Sequence, residues 1–397
     1  MTYGGDGGGR WVPPRPAQPS GRPRQHQPAQ MMPLPGRGRS PYDERTRPMG
    51  SRGEQPPPPP PRQAPPRGPE GAPAPRPRRR RRWRPGRILL TLLLVFVVFL
   101  AGVWVYLEFS IKRVDALANY DGRPAAASGT NWLIVGSDSR EGLSKEDEAR
   151  LATGDTSDAG GTRTDTIMVA HIPDNSTKPT LLSLPRDSQV KVPGHGTTKI
   201  NAAFSLGGPS LLVKTVEGAT GLRIDHYAEI GFGGFANIVD GIGGVDMCVD
   251  KDMNDPMTHI DIKAGCQTLD GRSALGFVRT RYSDATPRSD LDRVANQRKF
   301  IGAMVSQMAS AGTLLNPFHF FPLLSSAPDA LTMDSGDHVH NLVGLALAMR
   351  GISSDGVVTT TVPVTSASAE HWDKNKSQQL FDALRGDTEV PAGVITK

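Results

Sequence analysis

Six short polar clusters stand in otherwise apolar settings between residues 138 and 297. They are Asp138-Ser139-Arg140, Arg163-Thr164-Asp165-Thr166, Pro185-Arg186-Asp187, Lys199-Ile200-Asn201, Arg279-Thr280-Arg281, and Asp290 with Arg293 and Gln297. Arginine outnumbers every other residue type among them. A guanidinium grips phosphate oxygens through two parallel hydrogen bonds and keeps its charge at any physiological pH. Carboxylates set among guanidiniums suit magnesium, which takes one or two carboxylates together with substrate phosphates and water. The combination points to a pyrophosphate. Histidine and cysteine are absent from the clusters and the serines have no evident base partner, so a Ser-His-Asp or Cys-His nucleophile is hard to build. Taken singly, each cluster is more readily a surface ion pair or a turn cap than a site. Six in succession favour a shared role.

The elements that must position these residues alternate between strand and helix. Trp132–Val135, Thr166–Ile172 and Thr180–Leu184 are short runs rich in β-branched residues, with Phe277–Thr280 as a possible fourth strand. The first and third run into the clusters at Asp138 and Arg186, and ligands of open α/β sheets gather beyond the carboxyl ends of strands. If Arg279 and Arg281 share a strand, two residues apart, they face one side. A helix over Asp290–Ala309 carries Leu291, Val294, Phe300, Ile301, Met304 and Met308 as an apolar stripe, and it sets Asp290, Arg293 and Gln297 on one face. Further helices are expected at Ser210–Val216, Val339–Met349 and Gln378–Leu384, with a strand at Val357–Val364; Leu314–Asp337 is too irregular to assign. Gly241, Gly243 and Gly244 form a tight turn and lack the spacing of a nucleotide loop. The helices at Ala202–Val216 and Val294–Met308, with the sheet between them, could enclose an apolar cavity or simply form core.

Charge and hydropathy divide the chain. Residues 1–107 hold 19 arginines and 5 acids, leaving 27 basic and 35 acidic residues in the remainder, so the overall +6 joins two opposite halves. Between them runs the uncharged apolar stretch Ile88–Leu107, whose twenty residues reach roughly 30 Å as a helix, the thickness of a bilayer core. Arginines crowd its N-terminal side, which keeps that side cytoplasmic and the C-terminal part outside. The stretch is longer and much later than the apolar core of a signal peptide. The basic excess belongs to the membrane-flanking tail, so nucleic acid binding is not expected, and no helix-turn-helix pattern is present. Residues 1–87 carry 23 of the 36 prolines and too little apolar surface to order themselves. That tail could alternatively serve as a polyproline ligand for cytoplasmic partners or as a basic patch on anionic lipid.

Cys248 and Cys266 are the chain's two cysteines, and an oxidising compartment favours a disulfide between them. His171 reads as a core or edge residue.

The segments NWLIVGSDSR (131–140), RTDT (163–166), LLSLPRDS (181–188), KINAAFSLGG (199–208), VDGIGGV (239–245), FVRTR (277–281) and SDLDRVANQRKF (289–300) resemble the ordered motifs of the LytR-CpsA-Psr family, membrane-anchored enzymes of the bacterial cell envelope. The resemblance covers roughly Asn131 to Met308. It implies a transferase that moves a phosphate-bearing glycopolymer from a polyprenyl-pyrophosphate carrier to a sugar hydroxyl of peptidoglycan. By that resemblance Asp138 and Asp165 would hold Mg2+; Arg163, Arg186, Arg279, Arg281, Arg293 and Gln297 would hold pyrophosphate oxygens; Asp290 would orient Arg279 or Arg293; and Lys199 and Asn201 would line the same region. Asp138, Asp165, Arg279, Arg281 and Asp290 are the expected catalytic set. The last motif departs from the family, with Asn296 where Arg often precedes Gln297 and with Arg298 following. The expected fold is α/β, a three-layer α-β-α sandwich with a central mixed sheet. One transmembrane helix (88–107), a disordered tail (1–87) and a stalk (108–130) precede the external catalytic domain (131–397). A polyprenyl-pyrophosphate hydrolase and a non-catalytic lipid-binding or regulatory protein are the alternatives.

Overall fold

The structure, a computed structural model, describes residues 85–396 apart from 140–144, 152–163, 257, 259, 289, 353 and 367. The proline-rich tail read as disordered lies outside the described residues up to position 84. In chain order the elements begin with α1 (Pro85–Ser110), β1 (Lys112–Val114), β2 (Thr130–Ser137), α2 (Lys145–Arg150), β3 (Thr164–Ile172), β4 (Thr180–Ser183), β5 (Gln189–Val192) and β6 (Gly196–Lys199). There follow α3 (Ala202–Thr220), β7 (His226–Gly231), α4 (Phe232–Gly241), β8 (Val245–Val249), β9 (Met253–Asp255), β10 (Ile260–Ile262), β11 (Gly265–Leu269) and α5 (Gly271–Arg279). The chain closes with α6 (Asp290–Met308), α7 (Ala311–Leu314), α8 (Pro317–Ala330), β12 (Leu331–Asp334), α9 (Val339–Met349), β13 (Val358–Thr361) and α10 (Lys374–Arg385).

Among the described residues the main sheet has seven strands in the order β1-β12-β7-β2-β3-β4-β13. It is mixed: β2 runs parallel to β7 and antiparallel to β3, and β13 is parallel to β4. Both faces are covered, as the alternation in β2 requires. Leu133 and Val135 pack with Ile167, Leu182, Phe204 and Leu212 of α3 and Phe381 of α10 on one side. Trp132, Met168, Ala228 and Met333 pack with Val339, Leu345 and Met349 of α9 on the other, where Ile301 of α6 also leans on the sheet. The result is the expected three-layer sandwich.

Four readings of the sequence need correction. Phe277–Thr280 is helical: Asp270 caps α5 by accepting from the Ser273 N–H at 2.8 Å, and Gly276 lets the helix approach β10, where a Cβ would meet Ile260 Cγ2 at 1.9 Å. The β-branched run is overridden by a cap that lies upstream of it. Residues 108–130 do not form a free stalk. Lys112–Val114 pairs in parallel with Thr332–Asp334 at the sheet edge, Ala116 is buried, and Arg123 and Tyr120 bind the fully buried Glu217 at 3.0 and 2.7 Å. The stretch left unassigned after Leu314 supplies α8 and β12. The helix expected at Ser210–Val216 is the second half of a longer α3, which kinks at Gly207 and Gly208, the latter at φ 66°.

The anchor is longer than the apolar stretch alone. Pro85 starts α1, at the one helical position where its missing N–H is harmless, and the helix runs on through Glu108 to Ser110. Its mean hydropathy of 3.0 and its 25 residues from Gly86 fit a membrane span.

Cys248 and Cys266 stand directly opposite each other in the β8–β11 ladder and are joined. Closing a loop with a sequence separation of 18 should contribute about 3 kcal/mol. The Cys248→Ser, Cys266→Ser double variant is therefore expected to lose about that much in urea denaturation.

Candidate active site

The clusters converge at one end of the sheet. Gly136 pairs with Thr166 and Ser137 with Thr164, so Asp165 is the extra residue of a bulge, a device that re-aims a side chain at a strand end. Gly136 packs closely there: a Cβ would stand 3.0 Å from Thr166 Cβ, so Thr166 would have to shift to admit a side chain. Asp138 follows Ser137 directly, which sets the two carboxylates Asp138 and Asp165 at the ends of adjacent strands.

The turn after β4 carries Arg186 and Asp187. It is tied to the segment that opens α3: Asn201 N–H donates to the Arg186 carbonyl at 3.2 Å and Ile200 N–H to the Ser188 carbonyl at 2.8 Å. Asn201, expected as a ligand contact, thus fixes the backbone of Arg186. Arg186 Nη1 lies 2.5 Å from Asp165 Oδ1 and its Nε 3.3 Å from Asp187 Oδ2, while Lys199 Nζ binds Asp187 Oδ1 at 2.7 Å.

From the other side α6 brings Asp290, Arg293 and Gln297. Asp290 Oδ1 is 3.2 Å from Arg281 Nε and 3.1 Å from Arg293 Nη2, so it orients Arg293, as expected, and Arg281 as well. Gln297 Nε2 donates to the Val278 carbonyl at 3.1 Å and joins α6 to α5. Arg279 and Arg281 do not share a strand face. Arg279 ends α5 with its guanidinium 4.8 Å from the centre of the Phe232 ring, and Arg281 lies in the turn beyond. That turn is held by the buried Asp255, whose Oδ2 accepts from the N–H groups of Arg281 and Tyr282 at 2.9 and 3.0 Å. Asp255 escaped the sequence reading because it acts through residues remote in the chain, and the pairing role of Asp187 escaped it because one of its partners, Lys199, stands beyond the β5–β6 hairpin. Arg163 and Arg140 lie outside the described residues. Asn296 and Arg298 point elsewhere: Asn296 faces Val249 and Met253, and Arg298 is buried beside Met247 and Cys248. His171 is buried at the opposite end of the sheet between Asn131 and Asp387, at 2.9 and 3.0 Å, as a structural residue.

The electrostatics confirm one cluster. Burial alone would raise Asp165, but the charges of Arg186 and Arg293, a hydrogen bond from Arg186, and the charge of Arg281 hold it below the ordinary carboxylate value. Arg293 is pulled down to about 10 by burial, with Asp290 opposing and Arg281 and Arg186 adding to the fall. It remains charged at neutral pH. Burial likewise opposes the ionised form of Asp187, yet Lys199 and Arg186 bring it from 3.8 to about 2. A carboxylate depressed on folding contributes stability that is fully present above its unfolded value and is lost as pH falls through its folded one. The urea midpoint should therefore drop between pH 4 and pH 2, and Asp187→Asn should flatten that drop.

Several buried polar atoms at this end of the sheet have no hydrogen-bond partner among the described residues: Ser137 Oγ, Thr164 Oγ1, Asp290 Oδ1 and Arg293 Nε. Asp290 Oδ1 sits within ion-pair range of two guanidiniums but off their N–H axes. Groups of this kind are costly unless a ligand completes them. Three guanidiniums, that of Arg293 with its Nε unpartnered among the described residues, and the Lys199 ammonium can wrap a diphosphate. Among the described residues no group of three or more His, Cys, Asp or Glu side chains stands together as a metal site, and Asp138 and Asp165 are the two carboxylates that could take magnesium alongside phosphate oxygens.

Beside the charges lies an apolar cavity of about 80 Å³ that opens to solvent. Ile134, Gly136 and Thr166 of the sheet, Phe232 and Phe235 of α4, Leu275 and Val278 of α5, and Gln297, Ile301 and Met304 of α6 line it. The expected contribution from Ala202–Val216 is absent, because α3 packs on the other face of the sheet. Register across the sheet also fixes its height. Lys112, just after α1, aligns with Thr332, Glu229, Val135 and Ile167 in one row. The next row toward α1 is Leu331, Ile230, Gly136 and Thr166. The charged cluster is thus at the level where α1 ends.

Residues 108–387 match the LytR_cpsA_psr family. The chain is 53% identical over 306 residues to the probable cell wall biosynthesis protein LcpB of Corynebacterium glutamicum, which covers 76% of this chain and 70% of that protein. It is 31% identical over 304 residues to the cell wall biosynthesis protein LcpA of the same organism, covering 67% of this chain and 57% of LcpA. Among solved structures, the LytR-Csp2A-Psr enzyme from Actinomyces oris superposes with a TM-score of 0.54 at 21% identity, over 69% of this chain and 96% of that one. That likeness speaks for the fold.

Proposed function

Because this chain is a member of the LytR_cpsA_psr family, we propose that it transfers a glycopolymer from a polyprenyl-pyrophosphate carrier to a sugar hydroxyl of peptidoglycan on the outer side of the cell membrane, with the Arg-rich N-terminal tail in the cytoplasm. The observation that carries this reading is the convergence of Arg186, Arg281 and Arg293 around Asp165 and Asp290 at the height where α1 ends, next to an apolar cavity suited to a polyprenyl chain.

The acceptor hydroxyl oxygen attacks the phosphorus that bears the glycan, a phosphodiester forms, the pyrophosphate P–O bridge breaks, and polyprenyl phosphate leaves. In such a transfer positioning and charge neutralisation do most of the work. Arg186 and Arg293 hold the diphosphate oxygens from opposite elements, and Arg281 joins them through its shared partner Asp290. Arg279, whose guanidinium lies over the Phe232 ring that lines the cavity, reads the boundary between headgroup and chain. The hydroxyl proton passes to a carboxylate of the cluster, for which Asp165 and Asp138 stand nearest the strand ends. Mg2+ held by Asp138 and Asp165 would supply further neutralisation of the phosphates.

The test is to incubate the full-length protein in lipid nanodiscs with Mg2+, a polyprenyl-pyrophosphate glycan and peptidoglycan fragments. Lipid monophosphate together with a phosphodiester-linked product, both dependent on the acceptor, is the expected result. Lipid monophosphate and free glycan phosphate without acceptor would make it a hydrolase, and neither product would make it a binding protein.

A further inference from the structure

From Phe300 to Pro328 the chain has no Asp, Glu, Lys or Arg, although at its 22% charged content a stretch of that length would hold about six. This segment closes α6 and builds α7 and nearly all of α8. Its apolar side chains are not all buried: Leu315 is 81% and Phe318 83% exposed, with Leu314 and Phe321 at least half exposed. An uncharged tip with outward aromatic and aliphatic residues is a poor surface for water and needs an occupant.

The anchor helix indicates what covers it. Phe99 of α1 packs against Phe320 and Phe321 of α8, with ring centres 6.0 and 6.5 Å apart. Higher on α1, Trp104 stacks on His340 at 5.9 Å, and Glu108 accepts from His338 at 2.8 Å and from the Val339 N–H at 3.0 Å. The partners therefore change from apolar to amphipathic to charged along the helix, in the order in which a bilayer passes from acyl chains through the interface to water. Phe99 lies five residues, or about 7.5 Å, below Trp104. A monotopic element buries its apolar face about 5–10 Å into the headgroup boundary. The two depths coincide.

We propose that α7 and the first half of α8 form a second membrane contact, an insertion into the leaflet on the domain's side next to α1, with Leu314, Leu315, Phe318 and Phe321 among the acyl chains. α8 then rises into β12, whose first residue, Leu331, pairs with Ile230 beside the cluster. Two fixed points, α1 and this tip, hold the charged end of the sheet at headgroup height and stop the domain from swinging on a single tether. The proposal depends on α1 spanning a bilayer and not on the transfer chemistry.

Single cysteines at exposed positions, Leu315→Cys and Phe318→Cys, carry a nitroxide in the full-length protein, one copy per nanodisc, and Ser176→Cys in the turn at the far end of the sheet serves as reference. The ratio of collisions with oxygen to collisions with a water-soluble nickel chelate is expected to be several-fold higher at 315 and 318 than at 176. Equal ratios would place the tip in water and overturn the insertion. Shielding from both reagents would place it against protein and overturn it equally. Two label sites keep the result decisive if one perturbs the fold, which circular dichroism reports.

Discussion

Arg186→Ala is expected to lower glycopolymer transfer by about 10²–10³-fold, the usual effect of removing one preorganised donor from a developing phosphate charge. Arg186 bridges the two halves of the cluster: it pairs with Asp165 of β3 and with Asp187 of its own turn, and its charge is felt by Arg293 across the site. Its loss leaves Asp187 with Lys199 and leaves Asp165 near Arg293 and Arg281. The fold should therefore survive nearly unchanged. Arg186→Lys should recover little, because a single ammonium cannot reproduce the planar fork that spans two oxygens. Turnover in the nanodisc assay, set beside the melting temperature of each variant, checks both halves of the expectation. Equal activity of the Lys variant and the parent would show that Arg186 acts as a bulk charge only.

Asp290→Asn should cost stability as well as activity. The Arg293 side chain is 3% exposed, and Asp290 is its ion-pair partner. Burial already brings Arg293 down to about 10 while Asp290 opposes that fall. Removing the carboxylate leaves a buried guanidinium beside Arg281 and Arg186, and breaking a buried pair from one side costs about 3 kcal/mol or more. Loss of that size in urea denaturation, partly restored by added pyrophosphate because the ligand replaces the missing anion, is the expected outcome. An unchanged midpoint would mean that Arg293 finds water or another acceptor.

Much of the site could be read from the chain because it is local. Asp290, Arg293 and Gln297 share a helical face by spacing alone, and the ends of β2 and β4 place Asp138 and Arg186 just past apolar runs. What could not be read is long-range or depends on competing local signals. Asp255 fixes Arg281 from 26 residues away, with only an isolated acid to mark it. FVRT carries the look of a strand, but the cap at Asp270 and the close approach at Gly276 decide for a helix. Pro317, Pro322 and Pro328 punctuate α8, so propensity hides a helix that tertiary contacts with α4 and α1 maintain. The residues after α1 look like a tether because β1 is three residues long and finds its partner only at Thr332–Asp334.

A structure of the protein with a polyprenyl diphosphate tests the central claim most directly. The account predicts diphosphate oxygens against the guanidiniums of Arg186, Arg281 and Arg293, with the first isoprene units entering between Phe232 and Met304. A diphosphate bound elsewhere, for instance beside the buried Arg298 with the cavity between α4 and α6 empty, would contradict it.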